Sequence, residues 1–179
     1  MKNLKFSRLF AAVLFVAVLG LTGCKPEPEV KETIIEKVYV ARTLNAADKI
    51  LGTWVSEYGE KFVISTTDYD NYSNYGSADG SFYLYYSTNN LYIGTIDETS
   101  GYIYGKFDDA DHIGYGATAG QWYAFYYFDL TANSAKISQA YKDGGKAGCD
   151  SLEEAMKEFN VANGYMSTAA GKYSVVTKE

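Results

Sequence analysis

The chain has 179 residues, with 16 Lys and Arg against 22 Asp and Glu, one His, two Cys and a formal net charge of −6. Such an acidic chain is repelled by nucleic acid and by anionic lipid headgroups, which sets aside a nucleic-acid partner. The charges are scattered rather than blocked, as on an ordinary solvated surface.

The first element is an address. Lys2, Lys5 and Arg8 precede an uncharged apolar run, Leu9 to Leu21, and then comes Leu21-Thr22-Gly23-Cys24. Basic, then apolar, then small residues is the layout of a secretory signal. The run of 13 residues is too short to cross a ~30 Å hydrocarbon core as a helix. The four residues "LTGC" resemble the bacterial lipobox. That resemblance implies a diacylglyceryl thioether on the Cys24 sulfur, cleavage before Cys24 and usually a third acyl chain on its amine. Residues 1–23 are therefore expected to be a lipoprotein signal peptide. The membrane is then a partner through the acyl chains on Cys24, and the location is the bacterial cell envelope, on the periplasmic or surface face of the outer membrane. Each buried methylene contributes about 0.8 kcal/mol, and two chains anchor stably where one does not.

Residues 24–44 read as the lipidated N-terminus and a tether. "KPEPEV" holds both prolines, Pro26 and Pro28, with charges around them. Such a segment is extended and buries no core. Val30 to Thr43 mixes charged with β-branched residues and reads equally as a short helix or an extended arm. Loss of residues 1–23 removes Lys2, Lys5 and Arg8 and no acid, leaving 13 basic against 22 acidic side chains. With Cys24 lipidated, Cys149 stands alone and has no internal disulfide partner. As a nucleophile it would need a base, and His112 is the only histidine. Its flanks, "GGKAG" and Asp150, read as a loop.

Residues 45–179 are expected to form one domain, long enough for a real core. Short Tyr-rich runs alternate with Gly, Asn, Asp and Ser, the signal for an all-β barrel or sandwich. In chain order the predicted strands are Gly52–Glu57, Lys61–Thr66, Ser81–Tyr86, Leu91–Ile96, Tyr102–Phe107, Gln121–Asp129, Ala135–Tyr141 and Lys172–Val176. Asp68–Gly80 and Asp108–Gly120 read as long polar loops. Thr88-Asn89-Asn90 reads as a turn, and "DETSG" and "LTANS" as hairpin turns. Eight antiparallel strands with short connections close into an up-and-down barrel, which removes exposed edges.

One helix is predicted between the last two strands. Ser151 with Glu154 three residues later is a capping box, Leu152, Ala155, Met156 and Phe159 make one apolar stripe, and Asn163-Gly164 stops it. The helix must lie on something apolar. Six of the seven residues from Trp122 to Phe128 are aromatic, so that strand has no wet face. Trp122, Ala124, Tyr126 and Phe128 share one face; Tyr123, Phe125 and Tyr127 share the other. One set fills the barrel and the helix covers the other from outside; the pattern leaves open which is which.

"LGTWVSEYGEKFVIS" resembles the opening of a lipocalin-like chain, with Gly52-Thr53-Trp54 at the start of the first strand after a short helical lead-in, Asn45–Leu51. The resemblance implies that Trp54 closes one barrel end and that the late helix packs on the outer wall. It departs from the lipocalins in placing the helix before the eighth strand. "WYAFYYFDLTANSAKISQAYKDGG" followed by "SLEEAMKEFNVANGY" resembles the C-terminal half of small lipoproteins of treponeme-type spirochaetes, a resemblance that implies no activity.

Asp108, Asp109, Asp111 and His112 are the densest set of possible metal ligands, and Asp68, Asp70, Asn71, Asn74 and Asp79 a second. Neither has the EF-hand arrangement, and adjacent acids point in different directions, so no metal is expected. No catalytic or phosphate-binding motif occurs, and neither an enzyme nor a cofactor is expected. Two readings remain. In the first, large inward residues (Phe62, Ile64, Phe82, Leu84, Tyr86, Ile93, Tyr104, Phe125 and Tyr173) fill the barrel. The protein is then an interaction protein, with Tyr69, Tyr72 and Tyr75 of the loop "DYDNYSNYG" offered to a protein or glycan. In the second, a small hydrophobic ligand is bound or transported inside the barrel, lined by Trp54, Tyr86, Tyr104 and Phe125.

Overall fold

The computed structural model describes residues 40–109 and 116–179. The signal peptide, Cys24 and the tether up to residue 39 lie outside the described residues, as do Asp111 and His112. Nine strands and one helix follow in order: β1 Arg42–Thr43, β2 Gly52–Ser56, β3 Glu60–Ile64, β4 Asp68–Ser73, β5 Tyr83–Thr95, β6 Gly101–Asp109, β7 Trp122–Phe128, β8 Ser134–Gln139, α1 Leu152–Glu158 and β9 Ser174–Lys178. Strands β2 to β9 close into an eight-stranded antiparallel barrel, each paired with its chain neighbours, β9 with β2. The two-residue β1 lies outside that ring and pairs with β5 at Ile93 and Tyr92. The fold is the expected all-β up-and-down barrel with one helix outside and ahead of the last strand.

Eight strands were expected, but two of them were drawn differently. Asp68–Ser73 is a strand, not a loop: Tyr69 and Asn71 point in while Asp68 and Asp70 point out. Asp and Asn are poor strand formers in isolation, and here pairing to β3 and β5 overrides that preference. Thr88-Asn89-Asn90 is not a turn, because Tyr83–Thr95 runs through it as one 13-residue strand. Asn90 sits at φ 54, and the register shifts between Asn89 and Tyr92. Asparagine tolerates this left-handed backbone, which a bulge can use as well as a turn. The bend lets the first half of β5 pair with β4 and the second half with β1, while β6 runs along its other edge. The lead-in Asn45–Leu51 forms successive turns instead of a helix, closed by Asp48 N–H to Asn45 O and Leu51 N–H to Asp48 O. Ordered structure also starts ahead of Asn45, with β1 and the buried Leu44.

The connections sort to opposite ends of the barrel. Short turns at 65–67, 96–100 and 129–133 share one end with the lead-in. Longer connections at 74–82 and 140–173 share the other, with the tight turn at 57–59 and the described residues 116–121 ahead of β7. Inside, close approach is made possible by two glycines of β6. A Cβ on Gly101 would lie 2.6 Å from the Tyr127 hydroxyl, and one on Gly105 would lie 2.6 Å from Thr88 Oγ1.

Both faces of β7 are covered, and by different partners. Tyr123, Phe125 and Tyr127 join the barrel core. Trp122 and Ala124 join a second buried cluster with Tyr102, Tyr104, Ala155, Phe159, Tyr165 and Met166, and Tyr126 packs against it. The helix starts as its cap residues require. Ser151 Oγ accepts the N–H of Glu154, and the Glu154 carboxylate reaches back to the N–H of Asp150, one residue earlier than the usual box. Seven residues long, it is shorter than its stripe suggests, and the fully buried Phe159 serves as its C-cap. The Phe159 ring meets Tyr165 at 5.0 Å and Tyr123 at 6.1 Å. Phe159→Ala should therefore destabilise the domain by about 3 kcal/mol, the scale of a buried Phe, read by urea unfolding. A loss below ~0.5 kcal/mol, within the range of ordinary surface substitutions, would show that the outer cluster is not a packed unit.

Candidate functional site

The barrel interior is occupied by its own side chains. Trp54 is fully buried near the short-turn end, where its indole Nε1 donates to Ile50 O at 2.8 Å and the Lys178 ammonium stands 5.0 Å from the ring centroid. Across the lumen, Tyr69 of β4 stacks on Phe125 of β7 at 4.4 Å and on Phe62 at 6.1 Å. Tyr86 packs edge-on against Phe107 and Tyr123, and those two stack at 4.8 Å. Strands β4 and β7 lie three places apart around the ring. A 4.4 Å contact between them means that the interior is bridged by side chains.

Of the four residues expected to line a ligand cavity, Trp54, Tyr86 and Phe125 belong to this packed interior and Tyr104 does not. Tyr104 pairs with Ala124 and points outward, beneath the helix segment. Its inward assignment is corrected by register, because Ile103 and Gly105 take the inner positions of β6. The other inward candidates divide in the same way. Phe62, Ile64 and Ile93 are inside, Phe82 is exposed, Leu84 is half-buried, and Tyr173 packs on Phe128 of the outer face. Tyr69 and Phe107 are among the inner residues not foreseen, and of the two faces left open for β7 it is Tyr123, Phe125 and Tyr127 that point inward. The period-2 pattern of "DYDN" carried the signal for Tyr69.

The expected interaction residues separate for that reason. Tyr69 is 0% exposed and unavailable to a partner, Tyr72 is half-buried with the Lys61 ammonium 4.6 Å above its ring, and Tyr75 is 85% exposed. The exposed aromatic side chains Tyr58, Tyr75, Phe82, Tyr83 and Tyr141 all sit at or beside the long-loop end.

Toward that end a row of polar groups caps the aromatic core. The hydroxyls of Tyr69 and Tyr86 are 3.0 Å apart, and Tyr86 donates to Gln139 Oε1. Gln139 Nε2 donates to Glu60 Oε1 at 3.2 Å, and Ser174 Oγ donates to Glu60 Oε2. Tyr123 donates to Ala140 O at 3.1 Å. Two of the recesses among the described residues flank this filled lumen. One, of about 190 Å³, lies at the long-loop end between Tyr123 and the loop Ala140–Ala147. The other is an open groove of about 370 Å³ at the short-turn end, lined by Arg42, Asp48, Ile50, Ile93, Asp97, Tyr127 and Leu130 among others. The Arg42–Asp48 ion pair forms part of its wall.

Chemistry-bearing residues elsewhere are already engaged. Cys149 is buried, its backbone pairs with Trp122, and burial pushes its thiol up to about 11. It is not a thiolate at neutral pH. Asp108 is exposed and accepts from Asn89 Nδ2 at 3.1 Å. Asp79 accepts from the Ser81 amide and the Ser77 hydroxyl, and these serine hydrogen bonds hold it far below the usual carboxylate range. Burial raises Asp70, and Asp68 and Asp108 add to it. Among the described residues no group of three or more His, Cys, Asp and Glu could hold a metal ion. No described helix is long and apolar enough to cross a membrane.

Burial raises the hydroxyls of Tyr69, Tyr86 and Tyr123 well above their ordinary value and that of Tyr127 to about 12. A tyrosine raised in the folded state contributes stability that is fully present below its unfolded value near 10 and is lost as pH rises through the folded value. The domain should accordingly lose stability from about pH 10 toward about pH 12, with phenolate absorbance of the buried set appearing together with loss of circular dichroism. Ionisation of all tyrosines in a still-folded barrel would contradict the buried hydroxyl row. No family model matches the chain, and neither a curated protein nor a solved structure matches it.

Proposed function

We propose that this chain is a lipid-anchored envelope lipoprotein, held by acyl chains on Cys24, whose filled barrel acts as a non-enzymatic interaction module. The observation that carries this reading is the interdigitated interior. With Tyr69 stacked on Phe125 across the lumen, no acyl chain or polycyclic ligand enters without displacing several buried rings. The asymmetry of the two ends supports it further. The chain runs into the barrel through β1 beside the short-turn end, where Arg42 lines the groove with Asp97 and Leu130. The long-loop end carries the exposed Tyr58, Tyr75 and Tyr141. Exposed tyrosines offer rigid contact area and a hydroxyl at low entropic cost, as protein or glycan recognition requires.

Two measurements test this. Cys24→Ala should abolish metabolic labelling with palmitate and release the chain from the detergent phase; continued labelling would end the anchor reading. Titration with fatty acids, retinoids and haem should leave the fluorescence of Trp54 and Trp122 unchanged at about micromolar ligand, since a dissociation constant near 1 μM requires about −8 kcal/mol from substantial buried area. A saturable one-to-one quench would replace the interaction reading with binding or transport inside the barrel.

A further inference from the structure

We propose that the outer face of β2–β5 is a self-association surface whose occupant is a second copy of this chain, with Lys61 of each copy set over Asp70 of the other. The surface is separate from the long-loop tyrosines and stands whether or not Cys24 is acylated.

Among the described residues the barrel wall is covered over β6 and β7, where α1 and the chain after it bury Tyr102, Tyr104, Trp122 and Ala124. On the opposite side, cross-strand pairing sets Val55, Lys61, Tyr72 and Leu84 in one row over β2, β3, β4 and β5. Val63 and Asp70 form the next pair along β3 and β4. All of these side chains are half-buried, and the apolar ones belong to neither buried cluster.

Two charges on this face lack an opposite charge. The Lys61 ammonium lies 4.6 Å from the centroid of the Tyr72 ring and 4.9 Å from that of Phe82. The rings hold it and leave its N–H donors unspent. The ion pairs of the described residues are Arg42–Asp48, Lys136–Asp129, Lys146–Glu154 and Lys157–Glu153, and neither Lys61 nor Asp70 takes part in one. The charged groups acting on Asp70 are both negative, Asp68 and Asp108, and they add to burial in raising it. Lys61 is within diagonal reach of Asp70, yet it turns the other way, toward Phe82.

These residues are arranged so that the face complements itself. Lys61 stands opposite Tyr72, and Val63 opposite Asp70. The charges therefore occupy one diagonal and the apolar side chains the other. A two-fold axis lying in the interface along the Val63–Tyr72 diagonal places each Lys61 on the Asp70 of the second copy. It brings Tyr72 and Val63 onto their own counterparts. Such an isologous contact closes at two copies. The axis runs oblique to the strands, so the two walls cross at roughly 90°, one of the two packing classes of sheets. A purely acidic partner would meet Lys61 and be repelled by Asp70, and a purely basic one the reverse; a second copy carries both signs in the matching order. The patch is about 15–20 Å on a side, less than the ~800 Å² per partner of stable complexes. The association is accordingly weak, with a dissociation constant on the order of 0.1 mM.

Sedimentation equilibrium of the full chain in a density-matched neutral detergent reads the mass of the protein alone. That mass should rise from one copy toward two between about 0.01 and 0.5 mM and stop there. Lys61→Asp and Asp70→Lys should each weaken association about tenfold or more, since each sets like charges over one another. Mixed in equal amounts, the two variants should associate again, because each then offers the other the opposite charge. Tyr72→Arg places like charges on the axis and should weaken association as much. It decides the matter if a Lys61 or Asp70 variant fails to fold, as judged by near-ultraviolet circular dichroism. A chain that stays single up to about 0.5 mM leaves this face to solvent or to another protein and overturns the proposal. So does a mass that grows past two copies, a set of folded variants that associate as the unaltered chain does, or a mixture no stronger than its components.

Discussion

A strand with aromatic side chains on both faces cannot be left half in water, and the rest of this domain follows from meeting that constraint at Trp122–Phe128. On the inner face, Tyr123, Phe125 and Tyr127 are met by Tyr69, Tyr86, Phe107 and Ile137 from strands around and across the barrel. On the outer face, Trp122 and Ala124 are met by the helix segment and by Tyr165 and Met166 beyond it. The helix is short because it is a cover and not a pillar. Seven residues with a capped start, about two turns, place Ala155 and Phe159 against the wall, and the chain then folds back through Asn160, whose side chain bonds the Lys157 carbonyl. Burial of this much ring area, rather than strand propensity, holds the long-loop side of the barrel together.

The same packing divides the molecule into places where function fits and places where it does not. The lumen is full, and its polar edge closes on itself through Tyr86, Gln139, Glu60 and Ser174. Such a chain rigidifies the mouth without aiming a group at solvent. The recesses described are peripheral: the open groove beside Arg42 at the short-turn end, and the loop recess over Tyr123 at the long-loop end, where the exposed tyrosines also lie. A domain built this way recognises with its rim and loops while its core supplies rigidity.

Much of the barrel was legible in the residues, and the errors were specific. The hairpins at "DETSG" and "LTANS" are where turn chemistry put them, because Asp97 accepts the Thr99 amide and Thr131 Oγ1 accepts the Ser134 amide within a few residues. Local chemistry of this kind needs no tertiary partner. Asp68–Ser73 was misread because Asp and Asn signal a loop locally, while the strand exists only through its two neighbours. Thr88-Asn89-Asn90 was misread because a left-handed asparagine serves a turn and a bulge alike. One strand missed and one strand split cancelled in the count, so the right number of strands rested on two opposite mistakes. The candidate site suffered more. Tyr69 was taken for a surface contact and lies at the centre of the core, while the loop recess over Tyr123 had no motif to announce it.

The sequence by itself determined the class of fold, the late capped helix and the need to bury both faces of Trp122–Phe128. These rest on period, turn residues and side-chain polarity, all of which act over a few positions. Only the tertiary structure decided which face of that strand points inward, that Tyr104 belongs under the helix and that the lumen is filled. A one-residue choice of register exchanges the two faces of a strand. When both faces are apolar the hydrophobic pattern is blind to that choice. It is settled by volume: on the inner face of β6, Gly101 leaves the room that the Tyr127 ring occupies, and Gly105 leaves room for Thr88 and Leu91.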